Sequence, residues 1–259
     1  MFFTPYLCIL NKTQRYFIEL AYNGTAYHGW QIQKNAVSVQ KILNKVLSTI
    51  CRQGVETLGC GRTDTGVHAR QLFAHFDIDQ GTDILSSKFR ASVNSLLPYD
   101  ITVKRFIKVA SDAHARFDAT IRSYEYHIHF NKDPFKHKLS WLLRDQLDVD
   151  LMNIAASMLM EYRDFSCFSK SNTQTFTNNC VISRAEWLNT DDGLVFYISA
   201  DRFLRNMVRA IVGTLIKVGR KEIEPAELRQ IIESKNRSNA GESVPACGLY
   251  LTEVKYSYI

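Results

Sequence analysis

Two hydrophobic periods alternate along the chain. Tyr16 to Tyr22 is a run of aromatic and aliphatic residues closed by the turn pair Asn23-Gly24, which predicts a strand. After a loop holding Tyr27, Gly29 and Trp30, Ser38 supplies a side-chain cap. Val39, Ile42, Leu43, Val46, Leu47 and Ile50 then recur at three- and four-residue spacing, so a helix with one buried stripe is predicted. Residues 55–60 and 71–77 read as strands, the second with Leu72, Ala74 and Phe76 on one face and His75 and Asp77 on the other. A second helix over about 84–96 stops before Pro98, and a strand returns over 101–109.

The second half repeats this order without repeating the sequence. Residues 123–130 alternate like a strand, 149–160 like a helix, and 181–187 with 194–200 like a hairpin across Asp191-Asp192-Gly193. A long helix over about 203–218, a short one over 225–233 and a last strand over 248–254 complete it. The expected class is α/β of the α+β kind: two ferredoxin-like units, each a mostly antiparallel sheet covered by helices, with a cleft between them. The boundary is expected near 110–115, giving domains over 15–110 and 111–259 after a leader over 1–14.

Composition narrows the picture only a little. The 259 residues are 46% hydrophobic and 22% charged, enough for a substantial core, and the net charge of +6 favours an anionic partner only where the cations cluster. Cysteines at 8, 51, 60, 167, 180 and 247 form neither a zinc-ribbon spacing nor a disulfide framework, and read as reduced thiols. The apolar start lacks a basic region and is interrupted by Pro5, so it reads as neither signal peptide nor membrane span, and the expected location is the cytoplasm.

Chemistry concentrates in "GRTDTGVHA" (61–69). Asp64-Thr65-Gly66 carries the letters of an aspartic protease, but a protease dyad needs two such carboxylates sharing a proton. The tripeptide occurs once, and Arg62 stands two residues before the aspartate, where a cation opposes proton sharing. In an extended loop Arg62 lies beside Asp64 and keeps it ionised, as suits a nucleophile. The bland alternative is an Asx turn in which Asp64 caps its own loop while the arginine is solvated. Further on, Arg202, Arg205 and Arg209 fall on one face of the predicted helix, a solvated ridge or a surface that binds phosphates and pairs with the aspartate. In "RSYEY", Tyr124 and Tyr126 alternate with Arg122 on one strand face, where a tyrosine can stack on a base or simply fill the sheet. His127 and His129 alternate on that strand too, but with no third ligand in reach no metal is called.

Together these stretches resemble the tRNA pseudouridine synthase A family. The resemblance runs through "YNGTAYHGWQIQ" (22–33), "SVQKIL" (38–43), "GCGRTDTGVHARQLFAHFD" (59–77), "LPYDITV" (97–103), "AHARFDATIRSYEY" (113–126), "FLRNMVRAIVGTLIKVG" (203–219) and "PACGLYL" (245–251), nearly the whole chain from about residue 15. Ala113, Cys60 and Cys247 depart from the family's usual residues, and 175–183 matches its pattern poorly.

The resemblance implies that Asp64 is the catalytic aspartate, with Arg62 in the same active-site loop. It implies that Tyr124 packs on the target base and serves in proton removal, that Arg209 holds Asp64 and that Leu249 lines the pocket; Arg202 and Arg205 stay phosphate candidates. The implied reaction isomerises uridine to pseudouridine on the 3′ side of the anticodon arm of tRNA, with the base flipped out of its stack. No cofactor is expected, since the isomerisation has no net oxidation and the chain offers no nucleotide-binding glycine loop. A homodimer touching one tRNA with both subunits is expected, with no membrane. The rivals are a non-catalytic RNA-binding module, which needs no carboxylate beside an arginine, and a glycoside hydrolase, which needs a second acid.

Overall fold

The computed structural model describes residues 13–79, 83–170 and 176–259. Strand β1 (Thr13–Tyr22) pairs antiparallel with both β3 (His68–Asp79) and β4 (Ile101–Lys108), and the dipeptide strand β2 (Leu58–Gly59) adds to β3. In the second half β5 (Ala119–His129) lies antiparallel to β8 (Gly193–Ala200) and β9 (Leu249–Tyr256). It also takes the short β6 (Trp141–Leu142) in parallel, and β7 (Ile182–Thr190) closes the hairpin with β8.

The mixed α/β class stands, with a mostly antiparallel sheet and helices packed on it. The strands of both halves, expected as separate sheets, join into one with order β4-β1-β3-β9-β5-β8-β7. The seam is a short parallel pairing of β3 with β9, His68 opposite Tyr250 and Ala69 opposite Leu251. Parallel strands begin at the same end, so the loop before β3 and the turn before β9 become neighbours. This seam places the candidate site.

Helix α1 (Val39–Cys51) starts where Ser38 Oγ accepts the Lys41 amide, and α2 (Ser87–Leu96) where Ser86 Oγ accepts that of Phe89, later than the apolar pattern suggested. Both bury their apolar stripes, Val39, Leu43 and Leu47 with Phe89 and Val93, in one core with Leu20, Leu72 and Phe76. Helices α3 (Val149–Met158), α4 (Met207–Gly219) and α5 (Glu227–Glu233) share a second core with Tyr126, Trp187 and Phe196. In α4 every residue except Arg209 and Lys217 is buried. The C-terminal strand β9 serves both cores, giving Leu249 to the second and Leu251, Val254 and Tyr256 to the first.

Two boundaries differ for local reasons. Of the strand expected over 55–60, the part that meets β3 starts only at Leu58, because the preceding backbone bonds to α1 side chains: Val55 N–H to Ser48 Oγ and Thr57 N–H to Asn44 Oδ1. Helix α4 begins at Met207 rather than near 203, because Asn206 takes a left-handed φ of 67°, which the helix cannot include. The leader expected over 1–14 lies outside the described residues as far as position 12, and Thr13 and Gln14 already belong to β1.

Candidate active site

Asp64 sits in the loop between β2 and β3, and its neighbour Thr63 is the anchor. The buried Thr63 hydroxyl bonds Tyr22 Oη at 2.8 Å and accepts the Trp30 amide at 3.1 Å. The loop holding Trp30 approaches this closely because position 29 is glycine: its φ is +80°, and a Cβ there would stand 2.1 Å from the Thr63 carbonyl oxygen. Beyond the aspartate, Val67 N–H closes a turn on the Asp64 carbonyl at 3.1 Å. His68 then accepts the Gly24 amide at Nδ1 (3.0 Å), so its proton is on Nε2 and is donated to the Cys247 carbonyl at 3.2 Å. Burial lowers the His68 pKa and favours that neutral form.

Asp64 therefore projects from a loop tied down on both sides, and its carboxylate meets arginines. Arg209 Nη1 is 3.6 Å from Oδ2 and Arg205 Nε is 3.9 Å from Oδ1. No backbone amide among the described residues donates to that carboxylate, so the Asx turn is not formed. The Arg209 guanidinium is itself fixed, with Nε donating to the Val244 carbonyl at 2.7 Å.

Arg62 does not pair with Asp64, contrary to the expectation from extended-loop geometry. Its Nε donates to Gln31 Oε1 at 3.1 Å and the side chain is exposed, while the buried Thr63 separates the two projections. Arg202, Arg205 and Arg209 do not share a helix face either, since the first two precede the left-handed Asn206 and lie outside α4. The pairing of the basic cluster with the aspartate nevertheless forms, through Arg205 from the loop and Arg209 from the helix.

Tyr124 and Tyr126 follow different courses along β5. Tyr126 is fully buried and donates its hydroxyl to the Pro245 carbonyl at 2.8 Å, which makes it a core tyrosine. Tyr124 is only partly buried, packs edge-on against Phe203 at 5.2 Å, and its hydroxyl has no hydrogen bond among the described residues. Burial pushes its phenol above the usual range; the nearby Cys60 and Asp64 push the same way and Arg122 opposes them, so the ring is a neutral phenol beside the carboxylate. Leu249, buried at the start of β9, lies opposite Tyr126 in register.

Several neighbours went unnoticed in the sequence. Gln31 orients Arg62 and His68 ties three segments; both stand inside the quoted motifs, yet their partners are remote in the chain. Arg116 lies among Arg62, Arg122 and Arg202, whose charges, after burial, lower its pKa. Next to it Phe117 is 75% exposed. On the same β5, His127 Nε2 meets Glu125 at 2.9 Å, and no metal-holding group of His, Cys, Asp or Glu forms among the described residues. Of the five described cysteines, Cys60, Cys167 and Cys180 are buried, and all five are free thiols. No described helix is long and apolar enough to cross a membrane.

A family model described as tRNA pseudouridine synthase matches residues 155–257. Among curated proteins, a tRNA pseudouridine synthase A of Bacteroides fragilis is 50% identical over 246 residues, covering 95% of this chain and 97% of its own. That of Porphyromonas gingivalis is 50% identical with 93% and 97% covered, and that of Clostridium acetobutylicum 37% identical with 92% and 98% covered.

Proposed function

The chain belongs to the tRNA pseudouridine synthase family, and from that premise we propose that it isomerises a uridine of tRNA to pseudouridine, with Asp64 as the attacking carboxylate. The observation that carries the reading is the position of that carboxylate, flanked by Arg205 and Arg209 and not spent on its own loop. Two guanidiniums beside it complement the negative charge of an attacking carboxylate, a role that suits a nucleophile better than a general acid.

In the reaction the N1–C1′ bond of uridine breaks, the uracil turns, and C5 bonds to C1′ while the C5 proton is lost and N1 gains one. Atoms and electrons balance without an oxidant. An ionised carboxylate opens the reaction either by adding to the base or by assisting departure at C1′, and the same Asp64 serves both routes. Tyr124 then stands as a wall for the base, and its neutral phenol takes part in removal of the C5 proton as a relay, its oxygen accepting that proton while its own passes on to solvent; Leu249 lines the same pocket.

A base stacked in an RNA arm must first be flipped out, at a cost of a few kcal/mol recovered by stacking and hydrogen bonds in the pocket. Arg62, Arg202 and Arg205, exposed or partly exposed around Asp64, are the groups that meet phosphates. The substrate we infer is the 3′ side of the anticodon arm, bound by a homodimer. A non-catalytic RNA-binding module would gain nothing from a lone carboxylate held against its own phosphate-binding arginines. Incubation with unmodified tRNA, followed by nucleoside chromatography and carbodiimide mapping, is expected to give mass-neutral conversion of uridine in that arm. Bound tRNA with every uridine intact would overturn the reading.

A further inference from the structure

Arg122 is a strand arginine whose terminal nitrogens are fully engaged inside the protein. Nη1 donates to the carbonyls of Ala119 (3.0 Å) and Asp201 (2.6 Å), and Nη2 to those of Cys60 (3.0 Å) and Arg116 (2.7 Å). Four donors on four main-chain oxygens use every N–H of the two terminal nitrogens, and among the described residues no carboxylate pairs with the guanidinium.

The four carbonyls belong to three segments that carry the site. Cys60 opens the loop to Arg62 and Asp64, Arg116 and Ala119 lead into β5, and Asp201 opens the segment to Arg202 and Arg205. Cys60 is further fixed by its own amide, which donates to the Phe73 carbonyl at 2.7 Å. Arg122 also stands two residues before Tyr124, on the same face of β5. One planar cation thus sets where Asp64, Arg205 and Tyr124 start from.

We propose that Arg122 is the positioning residue of this site: its guanidinium holds the Asp64 loop, the approach to the Tyr124 strand and the Arg205 segment in their working spacing. The proposal rests on the isomerisation read above. Arg122 acts on neither RNA nor the reacting atoms in this proposal, because all four N–H groups of its terminal nitrogens are spent on main-chain carbonyls and only Nε–H is left. A guanidinium suits the task because its fork reaches separate acceptors at fixed angles, whereas an ammonium donates from a single point. Displacements of about 1 Å cost up to about 100-fold in rate where catalysis depends on alignment, so the consequence falls on kcat.

The test compares wild type, Arg122→Lys and Arg122→Ala. Hydrogen exchange read by mass spectrometry is expected to quicken about tenfold or more in 60–66 and 201–206 of the lysine variant, with α1 and the β7–β8 hairpin unchanged. On tRNA, kcat is expected to fall at least about tenfold with KM within about threefold, and methylguanidine to restore part of the activity of Arg122→Ala. Unchanged exchange in both segments, or kcat within about twofold of wild type, overturns the proposal, and a rise in KM alone makes Arg122 an RNA contact and also overturns it. If Arg122→Ala fails to fold, the lysine variant decides. If wild type itself makes no pseudouridine, the functional reading fails, and the exchange measurement still decides whether Arg122 holds the segments.

Discussion

Arg209 faces Asp64 from across the sheet seam, with Nη1 3.6 Å from Oδ2, while Nε of the same guanidinium is fastened to the Val244 carbonyl at 2.7 Å. One end of the side chain belongs to the main chain and the other to the carboxylate. Helix α4 is otherwise buried except at Lys217, so Arg209 leaves its apolar helix at the place where Asp64 needs a cation. An exposed ion pair held by two mobile side chains contributes little; here the arginine is fastened to the main chain and the aspartate stands in a loop whose backbone is tied on both sides.

Arg209→Ala is therefore expected to lower kcat by about 100-fold while changing tRNA affinity only a few-fold, since it removes preorganised charge from the reacting group. Arg209→Lys should recover part of this, because an ammonium cannot serve Val244 and Asp64 together. Single-turnover kinetics alongside filter binding make the check; a collapse of affinity with kcat intact would identify Arg209 as a phosphate contact.

Asp64→Asn should fold like wild type and form no pseudouridine. The Asp64 side chain is 29% exposed, and a half-solvated pair adds little to stability, so thermal unfolding is expected to shift by no more than a few degrees. Tritium release from tRNA labelled at uridine C5 is the direct assay, and release above background would refute the nucleophile assignment.

Periodicity revealed α1, the order of elements along the chain and the chemistry-bearing loop, because each is written in consecutive residues. It misplaced the partner of Asp64. Arg62 is adjacent in sequence, but Thr63 turns inward to Tyr22 and Gln31 captures the Arg62 side chain. The arginines that reach the carboxylate come from the other half, brought there by the parallel pairing of β3 with β9, a contact that leaves no mark in either strand. The basic cluster of 202, 205 and 209 was visible as spacing, but the left-handed Asn206 that splits it into loop and helix was not. Arg122 looked like one more strand residue because its four acceptors are main-chain oxygens, which no side-chain motif records.

His75 gives the fold a pH dependence. Burial, then the charges of Arg15 and His114, bring its pKa down to about 4 against the partial opposition of Asp77 and Asp118, and its Nδ1 accepts the Ala115 amide at 3.1 Å. The unfolded imidazole titrates near its ordinary value of 6.5. The depressed pKa therefore gives stability that is complete above about pH 6.5, declines as the pH falls toward about 4, and is lost below that, up to about 3 kcal/mol in all. His75→Asn keeps an acceptor for Ala115 and does not titrate, so its unfolding temperature should fall less steeply over that interval than wild type; parallel curves would exclude His75 as the cause.

The proposed function gives Arg202 and Arg205 a task different from that of Arg209, contact with phosphates. The Arg205 side chain is 58% exposed, its Nε stands 3.9 Å from Asp64 Oδ1, and the loop before Asn206 leaves it room to reach outward. A phosphate contact releases counterions, and its loss lowers the slope of log affinity against log salt by about one. Arg202→Ala and Arg205→Ala are each expected to weaken tRNA binding at low salt and reduce that slope by about one, with kcat on saturating tRNA changed much less than in Arg209→Ala. Arg229→Ala is the control, since that guanidinium is occupied by both carboxylate oxygens of Glu161 at 2.6 and 3.0 Å and its loss should leave the slope unchanged. Filter binding across a salt series gives the answer: an unaltered slope in Arg205→Ala, with kcat lowered as far as in Arg209→Ala, would move Arg205 from the RNA-binding surface to the carboxylate.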